Sequence, residues 1–191
     1  GGISGAFAVL AALHHRSNTG EGQYIDLSQA EAITCLLPEA MMDYAMNRTV
    51  RTRVGNRDDI MAPHGCYRCK NEGWVAIAVG TEEEWAAFCL AVGNLDWTKE
   101  EGFSDALKRW QNQDELDRLV EEWTITLNHY EVAKRLQGAG IAAVPTLNVE
   151  ELLNDPHLRE RRFFAEVDHP EVGRTTLAGL PWRLSETPGG V

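Results

Sequence analysis

Gly65-Cys66-Tyr67-Arg68-Cys69, Lys70-Asn71-Glu72-Gly73, Trp74-Val75-Ala76-Ile77-Ala78-Val79: two short strand-like runs around a glycine-bearing turn decide the fold class of this chain. Their apolar and β-branched content, bounded by Asn71-Glu72-Gly73, predicts a β-hairpin with strands at 65–69 and 74–79. A helix follows at once. Thr81 stands at an N-cap with Glu84 three residues on, a capping-box spacing, and Trp85, Phe88, Cys89 and Val92 fall on one helical face. Sheet and amphipathic helix in succession predict an α/β protein.

Toward the C-terminus, Leu116, Leu119, Val120 and Trp123 form a helical stripe within a predicted helix at 114–124. A shorter helix precedes it at 103–109, and another follows at 128–137, ended by Gly138 and Gly140. Residues 141–144 read as a buried strand closed by Pro145. Short helices at 150–154 and 156–161, strands at 163–167 and 174–177, and an irregular tail at 181–191 complete this part. Toward the N-terminus, Phe7, Leu10, Ala11 and His14 share a face of a helix at 3–16, stopped by Thr19-Gly20-Glu21-Gly22. A short strand at 23–27 and a helix capped by Ser28, with Glu31 completing a box and Pro38 a kink, give a helix–turn–strand–helix order. The first residues already read as helix interior and no Met precedes them, so the chain reads as a piece of a longer protein.

The 191 residues are 43% hydrophobic and 25% charged, with a net charge of −11 and a pI near 5.0. That balance supports a packed core and argues against nucleic acid or an anionic membrane surface as partner. Arginines gather locally at Arg48, Arg51, Arg53 and Arg57, enough for a small phosphate pocket. No apolar run approaches the roughly 20 residues of a membrane span. The start lacks the basic lead of a signal peptide, and four cysteines do not form a disulfide framework. A cytoplasmic location is expected.

Residue chemistry alone discloses no reaction. Cys66-x-x-Cys69 beside His64 has zinc-like spacing but no second ligand pair, and strand alternation sends the two thiols to opposite faces. No metal is expected. Glu82-Glu83-Glu84 reads as the acidic first turn of a helix rather than a catalytic cluster, and His14-His15 as the favourable basic end of one. No dinucleotide, phosphate-loop, nucleophile-elbow or zinc-protease motif is present.

The segments taken together resemble the family III CoA-transferases (the CaiB/BaiF family). That group includes carnitine-CoA and formyl-CoA transferases and the α-methylacyl-CoA racemases. The resemblance lies in Leu10-Ala11-Ala12-Leu13, Arg16, Thr19-Gly20-x-Gly22-Gln23 and Ile25-Asp26-Leu27-Ser28. It continues through Gly55-Asn56, Ala62-Pro63-His64-Gly65-Cys66-Tyr67 and Glu72-Gly73-Trp74-Val75-Ala76-Ile77-Ala78. Gly140-Ile141, Pro145, Asp155-Pro156 and Pro181-x-x-Leu184-Ser185-x-Thr187-Pro188 close it in the family's order.

What the resemblance implies is a fold and a mechanism. Residues 1–47 would belong to a large Rossmann-like domain, 48–64 to a linker, 65–147 to a small α/β domain, and 148–191 to a return segment and tail. Coenzyme A would be a substrate, with no further cofactor. An aspartate would attack an acyl-CoA thioester and carry the CoA as an enzyme-bound thioester to an acceptor acid. By register that aspartate lies just before Gly1, so no catalytic residue is expected within the chain. Substrate and CoA contacts are expected at Gln29, Asn56, Pro63, His64, Gly65 and Tyr67. The intact protein would be an interlocked homodimer, and apolar surface here would need covering by another subunit. Two alternatives stand beside the transferase: a racemase, with Glu83 near the position of its acid, and a non-catalytic remnant acting as an interaction domain. The glycine-rich loop of formyl-CoA transferases is absent, so oxalate chemistry is not indicated.

Overall fold

In a computed structural model, which describes residues 1–189, the hairpin forms from strands β1 (His64–Arg68) and β2 (Trp74–Ala78). They pair antiparallel with Tyr67 opposite Val75 and Gly65 opposite Ile77. A third strand, β3 (Ala142–Thr146), pairs antiparallel with β2, giving the sheet order β1-β2-β3. Pro145 lies inside β3 rather than closing it, opposite Val75. β3 is an edge strand, where a residue without an N–H is tolerated.

The turn differs from expectation in an instructive way. Its left-handed residues are Asn71 (φ 60°) and Glu72 (φ 61°), while Gly73 is extended (φ −71°). Gly73 is glycine for a packing reason: a Cβ there would lie 2.2 Å from His129 Nδ1. That buried ring also lies 4.4 Å from the Tyr130 ring, tilted by 35°, and its Nε2 sits 3.0 Å from Glu151 Oε1, near enough for an ion pair but not aligned as a hydrogen bond.

Helices cover one face of the sheet. They are α4 (Glu82–Val92), α5 (Ala106–Gln111), α6 (Gln113–Thr124) and α7 (His129–Gly138). The expected helix at 103–109 is instead a 3-10 turn, Glu101–Phe103, followed by α5, whose N-cap Asp105 accepts from the Lys108 N–H. The Thr81–Glu84 capping box forms: the Thr81 hydroxyl accepts from the Glu84 N–H, and the Glu84 carboxylate accepts from the Thr81 and Gly80 N–H groups. α6 packs on β1 and α7 on β2 and β3. Val75, Ile77, Phe88, Leu116, Val120, Val132 and Leu136 form the core between them. Full burial of a side chain such as Phe88 contributes about 1.5–3 kcal/mol.

A charge is built into this core. The Arg109 guanidinium, 2% exposed, donates to Glu82 at 2.7 and 3.2 Å and to the Phe103 carbonyl at 3.2 Å, and lies 4.7 Å over the Trp85 ring. The hydrogen bonds from Arg109 hold the Glu82 carboxyl below the usual carboxylate range.

Beyond the sheet come α8 (Val149–Asn154), α9 (Pro156–Glu160) and a second hairpin of β4 (Phe164–His169) and β5 (Gly173–Ala178). Residues 179–189 carry no helix or strand, and the last two residues of the expected tail lie outside the described residues. The N-terminal segment is a separate unit, Gly1–Arg53. It consists of α1 (Gly2–Thr19), α2 (Gln29–Thr34) and α3 (Pro38–Asn47). Pro38 opens α3, so the one kinked helix expected after Ser28 is two helices. Ser28 accepts from the Glu31 N–H as a cap should. The strand expected at 23–27 is absent, because none of the described strands pairs with it. No side chain of this unit is buried; Phe7, Leu10 and Met46 stand exposed. Among the described residues, no helix is long and apolar enough to cross a membrane.

Burial sets one pH response. Cys69, just past β1, is 4% exposed, and its thiol is pushed up from 9.0 to about 11, by burial first and the Glu121 charge second. Between these values the unfolded chain releases a proton that the folded chain keeps. Stability therefore falls as pH rises from about 9 to 11, by on the order of 2 kcal/mol. Urea midpoints taken across that window should decline more steeply for the native chain than for Cys69→Ala.

Candidate functional site

The sheet face away from the helices is a floor of small side chains. Strand alternation puts His64 and Cys66 of β1, Ala76 and Ala78 of β2, and Ala142 and Val144 of β3 on it. In register these form two rows, His64–Ala78–Ala142 and Cys66–Ala76–Val144. The segment Gly55-Asn56-Arg57 rises beside the floor and borders an open cavity of about 570 Å³.

Three attachments hold that segment. Arg57 Nη2 donates to Asp117 Oδ2 at 3.0 Å, its Nε reaches the same oxygen at 3.3 Å, and it also donates to Asp114. The Tyr67 hydroxyl donates to the other oxygen, Asp117 Oδ1, at 2.8 Å. One carboxylate on α6 thus ties the loop to β1. Burial, then the Asp117 charge, pushes the Tyr67 phenol far above its ordinary value, so it acts as a donor across all ordinary pH. Tyr67 needs Gly65 to do this: a Cβ at 65 would lie 3.2 Å from the Tyr67 ring and hydroxyl.

Asp58 gives the second attachment. Its Oδ1 accepts from the Ile60 and Met61 N–H groups at 2.9 and 3.0 Å, and its carbonyl accepts from Trp110 Nε1 of α5 at 3.2 Å. The Ile60 bond is the largest cause of a lowered Asp58 carboxyl, and the charge on His64 adds to it. The third is His64 itself, whose Nδ1 lies 2.5 Å from the Asn56 carbonyl oxygen. A carbonyl has no proton to give, so Nδ1 carries the hydrogen.

The six positions expected to touch substrate are placed as follows. Asn56, His64 and Gly65 line the cavity together. Pro63 is buried behind them, its carbonyl accepting from the Val79 N–H at 3.0 Å. Tyr67 points into the core and reaches the loop through Asp117. Gln29 belongs to the other unit, at the first turn of α2. The arginine cluster divides: Arg51 pairs with Asp43, Arg48 lies over Tyr44, and Arg57 is committed to α6. Sequence reasoning did not find Asp117, Arg57 as a loop tie, or the alanine floor. A signal for the floor was present, since Ala76 and Ala78 alternate with Val75 and Ile77. The triad Glu82-Glu83-Glu84 is the first turn of α4 as expected, with Glu84 in the capping box, while the pairing of Glu82 with Arg109 was not foreseen.

A second cavity of about 490 Å³ lies across the same loop, among Asp114, Asp117, Arg118 and Glu121. Its wall is rich in carboxylates, whereas among the described residues no acidic residue lines the first cavity. The second would repel an anion; the first lacks the carboxylates that would do so.

Comparison with known proteins agrees on one family. Succinyl-CoA:mesaconate CoA-transferase of Haloarcula marismortui is 32% identical over 98% of this chain and 48% of its own length. The β subunit of succinyl-CoA–L-malate CoA-transferase of Chloroflexus aurantiacus is 31% identical over 100% of this chain and 47% of its own length. The chain therefore spans about half the length of the curated relatives it matches. The crystal structure of a CAIB/BAIF family protein from Brucella suis superposes with a TM-score of 0.81 at 24% identity, over 98% of this chain and 48% of that one. That likeness establishes the mixed helix-and-sheet fold. CoA-transferase family III matches residues 1–191, and the chain belongs to that family.

Proposed function

We propose that the protein carrying this chain moves CoA between carboxylic acids, and that the first of these cavities holds the acyl group during transfer. The carrying observation is kinship, along 98–100% of this chain and about half of each relative, with transferases named for succinyl-CoA with mesaconate or malate. All of these named acids are dicarboxylates, so a dicarboxylic donor such as succinyl-CoA is the first substrate to test. In this reading residues 1–47 belong to a larger Rossmann-like domain, 48–64 join it to a small domain at 65–147, and 148–191 return toward it. Two such proteins form a homodimer in the cytoplasm, and the exposed apolar side chains of Gly1–Arg53 are covered by the remainder of the assembly.

The nucleophile is an aspartate carboxylate from the half of the protein that this chain does not span. Its oxygen attacks the thioester carbonyl and expels CoA thiolate, leaving an acyl-aspartyl anhydride. The thiolate attacks the aspartyl carbonyl and releases the donor acid, leaving an aspartyl–CoA thioester. The acceptor carboxylate attacks that thioester, and the freed thiolate then takes the acceptor's acyl group, restoring the aspartate. The residues of this chain bind and orient: the small-residue floor takes the acyl carbons and the Asn56 loop keeps water from the anhydride.

Intact protein incubated with succinyl-CoA and a labelled acid should form the labelled CoA ester. Hydroxylamine added during turnover should leave a hydroxamate on one aspartate, read by peptide mass spectrometry. Exchange without any modified aspartate would remove the covalent route.

A further inference from the structure

We infer that His64 is the specificity-determining residue of the cavity, its Nε2 receiving the distal carboxylate of a dicarboxylic acyl group. The inference rests on the reading of the cavity as the acyl site and adds to it the class of acyl group.

The argument is one of charge. The chain carries a net charge of −11, yet among the described residues no carboxylate lines this cavity. Two lining side chains can bear positive charge, Arg57 and His64. Arg57 directs Nε and Nη2 to Asp117 and Asp114, whose two carboxylates offset its charge, and the Asn56 amide is neutral. Gln137 spends its amide nitrogen on the Ala143 carbonyl at 2.7 Å. His64 stands on the open sheet face beside Ala78 and Ala142, with Nδ1 turned to the Asn56 carbonyl. That leaves Nε2 as the ring's remaining polar atom, and it carries a proton when the ring is charged. The Asp58 carboxylate is coupled electrostatically to the ring, while its Oδ1 is occupied by two backbone donors. The rest of the floor, Cys66, Ala76 and Val144, offers only small and apolar contact to the carbons between the two carboxyl ends.

A charge-assisted bond of this kind, removed, changes discrimination by about ten- to a hundredfold. Two substitutions separate the two ring nitrogens. In His64→Asn the amide nitrogen stands near the place of Nδ1, so the loop bond persists and Nε2 is lost. In His64→Gln the amide stands near Nε2, and the loop bond is lost. The measurement is kcat/KM for succinyl-CoA over kcat/KM for butyryl-CoA in the intact protein, together with peptide-resolved alkylation of exposed Cys66 with and without each thioester. The expected result is protection of Cys66 by succinyl-CoA, a drop of about tenfold or more in the ratio for His64→Asn, and a clearly smaller drop for His64→Gln. An unchanged ratio in His64→Asn, with Cys66 still protected, overturns the role of His64 and leaves the acyl site standing. Equal loss with both thioesters also overturns it, placing a phosphate of CoA rather than an acyl carboxylate at Nε2. Absence of protection by either thioester overturns the acyl site, and the assignment of His64 with it.

Discussion

Replacing Glu82 with alanine should lower unfolding stability by about 3 kcal/mol, read as a shift in the urea midpoint. The loss arises on the other partner. Arg109 is almost wholly buried and its guanidinium spans Glu82, the Phe103 carbonyl and the Trp85 face. Removing the carboxylate leaves a cation in the core with one carbonyl and one aromatic ring for company. Stranded buried charges cost about 3–5 kcal/mol; the low end applies because the Glu82 side is half exposed and water can reach that end. The pair Glu82→Ala/Arg109→Met should recover most of the loss, because an apolar chain of similar length then fills the slot. If the double variant is as unstable as the single one, the deficit comes from the first turn of α4 and not from the cation.

Asp117→Ala should have the second-largest effect, and it should reach function as well as stability. Asp117 accepts from both Tyr67 and Arg57, residues separated from it by 50 and 60 positions. Its loss leaves a buried phenol without an acceptor, at about 1–3 kcal/mol, and leaves the Asn56 loop tied to α6 only through the exposed Arg57–Asp114 pair. Thermal unfolding should register about 2–3 kcal/mol. Transfer by the intact protein should fall about tenfold or more, with the loss mainly in kcat, because a loosened loop admits water to the anhydride. Tyr67→Phe is the control. It removes the donor while Asp117 keeps Arg57, so its cost should stay below about 1.5 kcal/mol. Equal costs for the two would mean that the carboxylate does not serve both partners.

Much of the fold could be read before the structure because its signals are local. A hairpin, the capping box at Thr81, and the stripe on α6 each depend on residues within one or two turns of each other. The failures share the opposite property. The stretch 23–27 has strand composition, but a strand exists only through a neighbour, and no described strand supplies one. Pro145 was read as a stop, yet its position on a sheet edge is set by a register with β2 across some seventy residues. For the candidate site, the motif Pro63-His64-Gly65 falls at one wall of the cavity, His64 and Gly65 lining it and Pro63 buried behind. The ties that hold that wall, Arg57 to Asp117 and Tyr67 to Asp117, join residues with no sequence relation. Tyr67 also shows how a motif position can matter without facing the cavity.

The contact between Gly73 and His129 bears on anyone who would transplant parts of this protein. With 2.2 Å between a hypothetical Cβ and Nδ1, positions 73 and 129 form a single compatibility unit. A hairpin turn borrowed from a homologue with any side chain at 73 brings a collision unless position 129 is borrowed too. Chimeras should therefore be cut so that the turn and the first residue of α7 come from the same parent, although fifty-odd residues of unrelated chain lie between them.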